Sequence, residues 1–368
     1  MPEAVCRPES LDELCDAVRE NRRLMSRGGG TKPALSSQRD DVTLLDLSSL
    51  SGILEYEPGE FTFTALAGTP VHAINRALAE HGQYLPFDPP LVAQGATLGG
   101  TVAAGLSGPG RYRYGGVRDF ILGVRFVNGD GELIRSGGKV VKNAAGFDIS
   151  KLMVGSLGSL GVLAELSFKV FPRLPATATI RLQRRSLSDA LDALYSLTAS
   201  QMDLDALDLA IEEDGATLLV RLAGLPEALP DRIERFRGLL RGGDSLIGEP
   251  ERALWDSARA FAWVPAGWSL AKVPLTPGRI PALEQSLADP SAWADRPCLR
   301  RYSAGGQVGW LAFDGDGAAV DQLLAAAGLS GLVVFGSPRR PHIGRRTGES
   351  FARRVKQALD PAGKFVEA

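Results

Sequence analysis

The stretch that decides the fold begins as Gly95-Ala96-Thr97-Leu98-Gly99-Gly100-Thr101-Val102-Ala103-Ala104-Gly105 and closes as Gly155-Ser156-Leu157-Gly158-Ser159-Leu160-Gly161-Val162. Of the 43 glycines in the chain, 17 lie between positions 95 and 161, which is well above their share by length. Glycine has no Cβ, so it adopts backbone conformations that other residues resist and lets the main chain touch a ligand directly. We therefore predict a surface for a large, flat, phosphate-bearing cofactor, with the 99–105 segment starting as a helix whose N-terminus faces phosphate.

A second glycine cluster stands near the N-terminus. The short strand Leu24-Met25-Ser26 is followed by Arg27-Gly28-Gly29-Gly30-Thr31-Lys32. Three successive glycines after a strand can turn their N–H groups toward an anion and form a phosphate nest, although for a glycine triplet alone a flexible loop is an equal alternative. The segment lacks the Gly-Lys-Ser/Thr ending of a P-loop and the Gly-x-Gly-x-x-Gly pattern of a dinucleotide fingerprint.

The overall composition narrows the class of protein. A chain of 368 residues is longer than one hydrophobic core usually serves, so we expect two domains. With 44% hydrophobic and 23% charged residues it has the composition of a soluble globular protein, and a net charge of −2 gives no electrostatic basis for binding nucleic acid. Neither a signal peptide nor a membrane span is predicted, so we expect a cytoplasmic protein.

Cysteine and histidine are scarce and scattered. The three cysteines, Cys6, Cys15 and Cys298, do not have the spacing of an iron–sulfur or zinc site, and we expect them to be free, buried thiols. The histidines are His72, His81 and His342. With so few of them, we expect no histidine-based metal site.

Two helix starts can be read from capping residues. Ser10-Leu11-Asp12-Glu13 is a capping box, which predicts a helix through about Asn21. Thr69 followed by Pro70 predicts the start of a second helix, which Gly82 ends.

Strand patterns flank these helices and recur through the second half of the chain. Asn128-Gly129-Asp130-Gly131 stands between strand-like runs at 121–127 and 132–135, which predicts a hairpin, and a long strand follows at 162–170. After Pro175, strand-like and helical runs alternate. This alternation predicts an antiparallel sheet covered by helices.

Taken in chain order, the motifs resemble the FAD-binding domain of the vanillyl-alcohol oxidase (p-cresol methylhydroxylase, PCMH) superfamily. The segments that carry the resemblance are Gly28-Gly29-Gly30-Thr31, Gly95-Ala96-Thr97-Leu98-Gly99-Gly100, Val117-Arg118-Asp119, Gly146-Phe147-Asp148 and Gly155-Ser156-Leu157-Gly158-Ser159-Leu160-Gly161. The tail at 355–365 resembles the superfamily's C-terminal return to the FAD domain. The runs at 105–109 and 117–124 are most similar to the FAD-binding E subunits of bacterial glycolate oxidases.

The resemblance implies an α+β fold with three parts. A two-subdomain PCMH-type FAD-binding domain would span 1–174, an antiparallel α/β cap domain 175–335, and a C-terminal segment returning to the FAD domain 336–368. The resemblance is fuller over 1–175 and the tail than in the middle of the chain.

The resemblance also implies which residues hold FAD. It assigns 28–31 to the pyrophosphate, 95–100 to the pyrophosphate and ribityl chain, 155–162 to the adenine side, and Lys142 and Asn143 to the flavin end. The full implied set is Arg27, Gly28, Gly29, Gly30, Thr31, Pro89, Gly95, Ala96, Thr97, Gly99, Gly100, Ala103, Gly105, Gly115, Arg118, Asp119, Lys142, Asn143, Gly155, Gly158, Gly161 and Val162. Some relatives attach FAD covalently through a histidine after the glycine pair. Because Thr31 stands there in this chain, we predict non-covalent FAD.

The function implied by the resemblance is that of a flavoprotein subunit. It would oxidise a small 2-hydroxy acid, glycolate or D-lactate, beside a homologous FAD subunit and an iron–sulfur subunit that takes the electrons. Association with the inner face of a membrane would come through these partners. Two alternatives stay open: a non-catalytic FAD-holding, scaffold or electron-relay subunit of the same complex, and a stand-alone flavin-dependent alcohol dehydrogenase.

This sequence departs from the family pattern in three places. These differences bear on the identity of the substrate and partners more than on FAD binding. The metal-binding histidine pair of relatives that oxidise 2-hydroxy acids alone is absent, the tail ends in Val366-Glu367-Ala368 where Asn-Pro-Gly is usual, and residues 301–310 match only loosely a tryptophan- and glycine-rich cap segment. A carboxylate substrate favours an arginine or lysine partner. The candidates are Arg259, Lys272, Arg300, Arg345 and Arg346, and no general base is predicted.

Overall fold

The structure is a computed structural model. It describes residues 5–35, 41–138, 148–289, 293, 296–315, 317–336 and 340–366. The strands are β1 Val5–Cys6, β2 Leu24–Arg27, β3 Thr43–Asp46, β4 Ile53–Glu57, β5 Thr62–Leu66, β6 Gln83–Tyr84, β7 Ile121–Val127, β8 Leu133–Gly137, β9 Val162–Lys169, β10 Phe171–Pro172, β11 Ala176–Arg184, β12 Ala206–Glu212, β13 Gly215–Gly224, β14 Asp244–Ile247, β15 Ser269–Pro274, β16 Cys298–Ser303, β17 Val308–Phe313, β18 Ser330–Phe335 and β19 His342–Gly344. The helices are α1 Leu11–Glu20, α2 Val71–Ala79, α3 Leu98–Ala104, α4 Arg111–Tyr114, α5 Val117–Phe120, α6 Ile149–Met153, α7 Leu187–Ala199, α8 Leu229–Leu240, α9 Glu249–Ala260, α10 Ile280–Ala288, α11 Ala318–Ala326 and α12 Glu349–Leu359.

The chain divides into two compact units. The first contains Met1–Ser107, Gly116–Arg173 and Thr347–Ala368, and the second contains Gly108–Gly115 and Leu174–Arg346. The predicted boundaries differ from this division in two places, at 108–115 and at 336–346. Residues 108–115 carry α4, whose Tyr112 ring packs against Gly305 of the second unit. Residues 342–344 form β19, which pairs antiparallel with β18 of the second unit, so the chain leaves that unit only after Arg346.

The described residues of the first unit form three sheets. A parallel sheet has the order β1-β3-β2, an antiparallel sheet has the order β4-β5-β9-β7-β8, and β6 pairs with β10. The predicted hairpin and the predicted long strand are both confirmed, because β7 pairs antiparallel with β8 and with β9. The Asn128 carboxamide oxygen accepts the N–H groups of Asp130 and Glu132 and so holds the hairpin turn.

Capping residues start the first two helices in different ways. The predicted helix α1 and its Ser10 cap are confirmed, since Ser10 Oγ accepts the N–H of Glu13. The second half of the capping box differs, because the Glu13 carboxylate accepts the N–H of Glu9 and not that of Ser10. The predicted cap of α2 was wrong by one residue, because Pro70 is the N-cap. The Thr69 hydroxyl instead donates to the carbonyl oxygen of Leu66 and accepts the N–H of Gly52.

The C-terminal tail packs into the core of the first unit. Phe365 is buried in one cluster with Leu14, Val18 and Leu45. The backbone of the tail also extends the parallel sheet, since Leu24 accepts the N–H of Val366 and donates its own N–H to Lys364.

The second unit is built on one antiparallel sheet. Its strand order is β14-β11-β13-β12-β16-β17-β15-β18-β19 among the described residues. Helices α7 and α8 pack on β11 and β13, and α11 packs on β18 and β19. The predicted antiparallel sheet with covering helices is therefore confirmed. Neither β12 nor α9 was predicted. In β12 the buried carboxylate of Asp208 interrupts the apolar pattern.

Candidate cofactor site

The first unit holds an open cleft whose walls come mostly from three glycine segments. The segments are 26–32, 97–104 and 157–161, which the sequence keeps far apart and the fold brings together. The lining residues are Ser26, Arg27, Gly28, Gly29, Gly30, Thr31, Lys32, Leu35, Leu47, Ala67, Thr97, Gly99, Gly100, Ala103, Ala104, Leu157, Gly158, Gly161 and Leu163.

The first two segments touch at positions where only glycine fits. A Cβ on Gly28 would lie 2.1 Å from Thr97 Oγ1, and a Cβ on Gly29 would lie 2.0 Å from the carbonyl oxygen of Gly95. Both separations are far below van der Waals contact. These glycines therefore let the loop after β2 dock on the backbone that leads into α3.

The loop at 28–31 presents main-chain N–H groups that the rest of the described chain leaves unused. The amides of Gly28, Gly29, Gly30 and Thr31 donate no hydrogen bond to any described residue. Gly30 has φ +63°, in the left-handed region that successive amides use to turn toward one anion. The geometry favours the phosphate-nest interpretation over a featureless flexible loop.

The start of α3 differs from the sequence expectation. The N–H groups of Leu98 and Gly99 donate to the carbonyl oxygens of Thr69 at 2.9 Å and Ala67 at 2.7 Å. That of Gly100 donates to Thr97 Oγ1 at 3.3 Å. Because these amides already have partners, they are not free donors for phosphate, and α3 contributes small side chains to the cleft instead.

The third segment is fixed to α3 by backbone hydrogen bonds. The N–H of Gly155 donates to the carbonyl oxygen of Val102 at 3.0 Å, and that of Leu157 donates to Ala103 at 2.9 Å. A Cβ on Gly105 would lie 3.1 Å from Gly155 Cα, so a side chain there would push the loop away. These hydrogen bonds fix the main chain of the third segment, which forms part of the cleft wall.

The charged side chains that line the cleft are Arg27 and Lys32. Lys32 is buried, and burial lowers the pKa of its ammonium to about 8. Its Nζ atom donates to Thr31 Oγ1 at 3.0 Å. Next to it, Arg27 Nη2 lies 3.8 Å from the carboxylate of Asp46, which also accepts a 2.9 Å hydrogen bond from Arg7. Burial alone would raise the pKa of Asp46, but hydrogen bonds from Ser48 and Arg7 lower it.

Several predicted cofactor residues do not line this cleft. The lining does not include Gly95, Ala96, Gly105, Gly155 or Val162, nor Pro89, which is buried in the first unit. Arg118 is exposed, while the Asp119 carboxylate accepts the N–H of Gly116 at 2.8 Å and caps α5. Gly115 belongs to the second unit. Lys142 and Asn143 lie outside the described residues.

Other lining residues were missed by the sequence reasoning. Lys32 directly follows the predicted glycine loop, and its position next to a phosphate nest was the available signal. Ser26, Leu47, Ala67 and Leu163 carry no motif, because they line the cleft only through the packing of strands and loops that are distant in sequence.

The residues present fit a phosphate-bearing cofactor. The cleft offers unused amides at one loop and, next to them, a buried ammonium without a carboxylate partner among the described residues. Its walls are mostly glycine and alanine, which allow a flat ligand to approach the main chain. Within the described chain, His, Cys, Asp and Glu side chains form no group of three or more that could hold a metal ion.

The second unit carries a row of cationic side chains on one sheet face. Lys272 on β15 and Arg301 on β16 both pair with Trp310 on β17, so the three side chains project from the same face. Burial and, to a smaller extent, the positive charge of Arg111 together lower the pKa of Lys272 to about 8. Burial also lowers the pKa of Arg301, whose guanidinium lies 4.9 Å from the ring centroid of Trp263.

The other predicted cationic candidates are placed differently. Arg300 donates to the Glu284 carboxylate at 3.1 Å, and Arg259 pairs with Asp256 one turn earlier in its helix. Arg345 and Arg346 are exposed. Lys272 is therefore the predicted candidate in a partly buried cationic setting, and Arg301 is an addition that the sequence reasoning missed.

Comparison with known proteins identifies the family and the cofactor. The family model described as FAD binding domain matches residues 2–137. Escherichia coli (strain K12) glycolate oxidase subunit GlcE is 33% identical over 364 residues, which cover 96% of this chain and 94% of the relative. The chain belongs to the FAD-binding family of glycolate oxidase subunits. It is an FAD-dependent oxidoreductase of that family, and FAD is its cofactor.

Other members and structural neighbours extend the comparison. Bacillus subtilis (strain 168) glycolate oxidase subunit GlcD is 28% identical over 267 residues, 67% of this chain and 57% of the relative. The solved structure of an alkyldihydroxyacetonephosphate synthase matches with a TM-score of 0.74 at 15% identity, over 98% of this chain and 76% of that one. This likeness confirms the predicted α+β PCMH-type fold. No helix of the described residues combines the length and hydrophobicity needed to cross a membrane.

Proposed function

We propose that this chain is the FAD-binding subunit of a glycolate oxidase-type complex that oxidises a small 2-hydroxy acid such as glycolate or D-lactate. The observation that carries the proposal is its match to glycolate oxidase subunit GlcE along almost the whole of both chains. The glycine-walled cleft supports it, because the cleft suits the cofactor that such a reaction requires. Bound FAD takes up two electrons and can pass them on one at a time.

We further propose two protein partners. An iron–sulfur cluster needs about four cysteine thiolates, and this chain has 3 scattered cysteines. One-electron transfer from the flavin would therefore need an iron–sulfur subunit that supplies its own ligands. The likeness to GlcD supports a homologous FAD subunit as a second partner. Contact with the inner face of a membrane would come through these partners, and the chain itself would be cytoplasmic.

The non-covalent binding of FAD and the roles of the cleft residues also belong to the proposal. The amides at 28–31 would hold the pyrophosphate, while the glycines and alanines of 97–104 and 157–161 would lie against the rest of the cofactor. Thr31 has a hydroxyl where covalently flavinylated relatives have a histidine, so no side chain at that position can form the bond.

We assign recognition of the substrate carboxylate to the row formed by Lys272 and Arg301. The two Cα atoms are about 10 Å apart across two strand spacings, with Trp310 between them. A carboxylate is bound best by charge-assisted hydrogen bonds from cationic side chains. Lys272 and Arg301 offer such donors from one face of the sheet, and the indole of Trp310 would exclude water beside them.

The function is tested with purified full-length chain that carries FAD. Glycolate or D-lactate is added under anaerobic conditions, and the loss of flavin absorbance is recorded. The measurement is made with and without the co-purified partners. We expect substrate-dependent bleaching and co-purification of an iron–sulfur protein from the native host. If neither acid bleaches the flavin in the complete complex, the hydroxy-acid proposal is wrong. Bleaching that appears only with partners would favour the electron-relay role.

The carboxylate row is tested in the same assay by Lys272→Met. We expect the KM for the hydroxy acid to rise about tenfold or more, as expected for loss of a charged hydrogen bond, with a smaller change in kcat. Lys272→Arg should recover much of the affinity. Arg345→Met removes an exposed cation from the same unit and serves as the matched control. An unchanged KM in Lys272→Met would remove Lys272 from the substrate site.

A further inference from the structure

Lys32 is a buried cation in a cleft whose described lining residues include no Asp or Glu. Its side chain is 9% exposed and lines the cleft directly after the glycine loop. The partner of its Nζ atom is the neutral hydroxyl of Thr31, at 3.0 Å. In the part of the chain that the structure describes, no carboxylate forms an ion pair with Lys32.

The charges around Lys32 do not compensate for this. Arg27 lines the same cleft and adds a second positive charge. The nearest acidic group on the neighbouring strand β3, Asp46, is engaged by Arg7 at 2.9 Å and by Arg27 at 3.8 Å. From α3 and from 157–161, the lining residues are uncharged. An isolated ammonium in such a place costs free energy, which explains why burial lowers its pKa to about 8.

We propose that Lys32 pairs with a phosphate of FAD, and that FAD binding is coupled to the uptake of a proton by Lys32. The neighbouring amides at 28–31 supply dipoles, whereas Lys32 supplies a full charge beside the same loop. A pyrophosphate carries two negative charges, so a nest of amides alone leaves charge uncompensated. Pairing of Lys32 with phosphate rests on the proposed place of the pyrophosphate at 28–31. It does not depend on the hydroxy-acid substrate, because FAD binding is measured without any substrate.

One proton is transferred to Lys32 when FAD binds. In the free protein above pH 8 the Lys32 side chain is mostly the neutral amine. When the pyrophosphate binds, the amine takes one proton from solvent and becomes the ammonium, because the adjacent anion favours the charged form. When FAD leaves, the ammonium returns that proton. No bond other than the N–H bond forms or breaks.

The test is equilibrium dialysis of the full-length chain against FAD at a series of pH values between 7 and 9.5. For the native chain we expect the Kd to rise by roughly tenfold from pH 8 to pH 9.5, since one proton is taken up on binding. Lys32→Met should bind FAD at least about tenfold more weakly at pH 7, with little dependence on pH. Lys32→Arg stays charged throughout, so it should bind well with an equally flat profile.

Lys151→Met is the matched control, because Lys151 is paired with Asp148 on α6 and does not line the cleft. It should keep the native Kd and its rise with pH. Urea unfolding of each variant shows whether the fold is retained. If Lys32→Met fails to fold, the flat profile of Lys32→Arg still decides the matter. A native pH dependence in either folded Lys32 variant would overturn the proposal, as would a native Kd that does not change between pH 8 and 9.5.

Discussion

The Nζ atom of Lys356 lies 2.9 Å from the carbonyl oxygen of Ser159. The same ammonium also donates to the carbonyl oxygen of Phe365 at 2.8 Å and to the carboxylate of Asp360 at 3.0 Å. Asp360 is buried and in turn accepts the N–H groups of Lys364 and Phe365. One side chain on α12 therefore ties the C-terminal tail to the glycine loop that forms a wall of the cleft.

Replacing Lys356 by Met should loosen both structures that it joins. We expect the free energy of unfolding to fall by about 3 kcal/mol, because the carboxylate of Asp360 stays buried without its ion pair. FAD affinity should also fall, since Ser159 belongs to the loop beside the cleft. Urea unfolding and FAD dialysis measure the two effects. Arg353→Met changes an exposed cation on the same helix and should alter neither.

We make a second prediction from the close contact between the loop at 28–31 and the backbone that leads into α3. Gly29→Ala would place a Cβ 2.0 Å from the carbonyl oxygen of Gly95, so one loop must move. We expect FAD to bind at least tenfold more weakly, with stability lowered by about 1 to 3 kcal/mol. Gly59→Ala is the comparison, because a Cβ there meets nothing within 4 Å. Equal flavin content in the two purified variants would contradict the proposed role of the loop.

Burial of Lys32 also predicts how the FAD-free protein responds to pH. Its folded pKa of about 8 lies below the ordinary 10.5, so between these values the unfolded chain binds the extra proton. The stability of the free protein should therefore rise from pH 8 to 10.5. Lys32→Met lacks this contribution. It should be more stable than the native chain below pH 8, by on the order of 3 kcal/mol, with the difference vanishing near pH 10.5.

Unfolding of the FAD-free native chain and of Lys32→Met at matched pH values checks this. The variant is thus expected to gain stability while it loses cofactor affinity. A variant that is less stable at every pH would show that Lys32 is a structural side chain.

The attachment of FAD is tested by acid. We expect precipitation with trichloroacetic acid to release all of the yellow flavin into the supernatant, because Thr31 offers no imidazole for a covalent bond. Flavin absorbance of the washed pellet gives the measurement. Yellow colour retained in the pellet would mean that another side chain forms the bond.

Lys272 predicts the pH dependence of substrate binding. With a pKa of about 8, its ammonium becomes neutral as the pH rises through that value. The KM for a hydroxy acid should therefore rise above pH 8, while Lys272→Arg should keep a low KM at higher pH. Steady-state rates with a dye acceptor provide the measurement. A KM that stays constant up to pH 9.5 in the native chain would contradict the assignment.

The sequence predicted those features that depend on local signals. The capping box at Ser10, the turn at Asn128 and the glycine motifs act within a few residues, and the structure confirms the elements that they predicted. The FAD-binding family was predicted from the order of motifs, which survives even where single motifs are weak.

What sequence reasoning missed depends on contacts between distant segments. Helix α9 was not predicted. Its buried Trp255 donates a hydrogen bond from the indole N–H to Thr179 Oγ1, which lies 76 positions earlier, and no local pattern indicates such a contact. No local pattern indicates that Lys32 is buried, because its burial depends on how the fold surrounds the loop. The donors at the start of α3 were assigned to phosphate, yet they bond to Ala67 and Thr69, which no local pattern indicates.

Packing of the C-terminal tail in the core also affects how early in synthesis the first unit can be completed. Lys364 Nζ donates to the carbonyl oxygen of Val18, 346 positions earlier, beside the strand that leads into the glycine loop. At about 5 to 20 residues per second, a ribosome needs on the order of 20 to 70 s to make the chain between them. During that time the nascent N-terminal strand lacks its last neighbour and leaves apolar surface open to chaperones. The glycine loop after β2 therefore reaches its final surroundings only once the tail at 364–366 has been made.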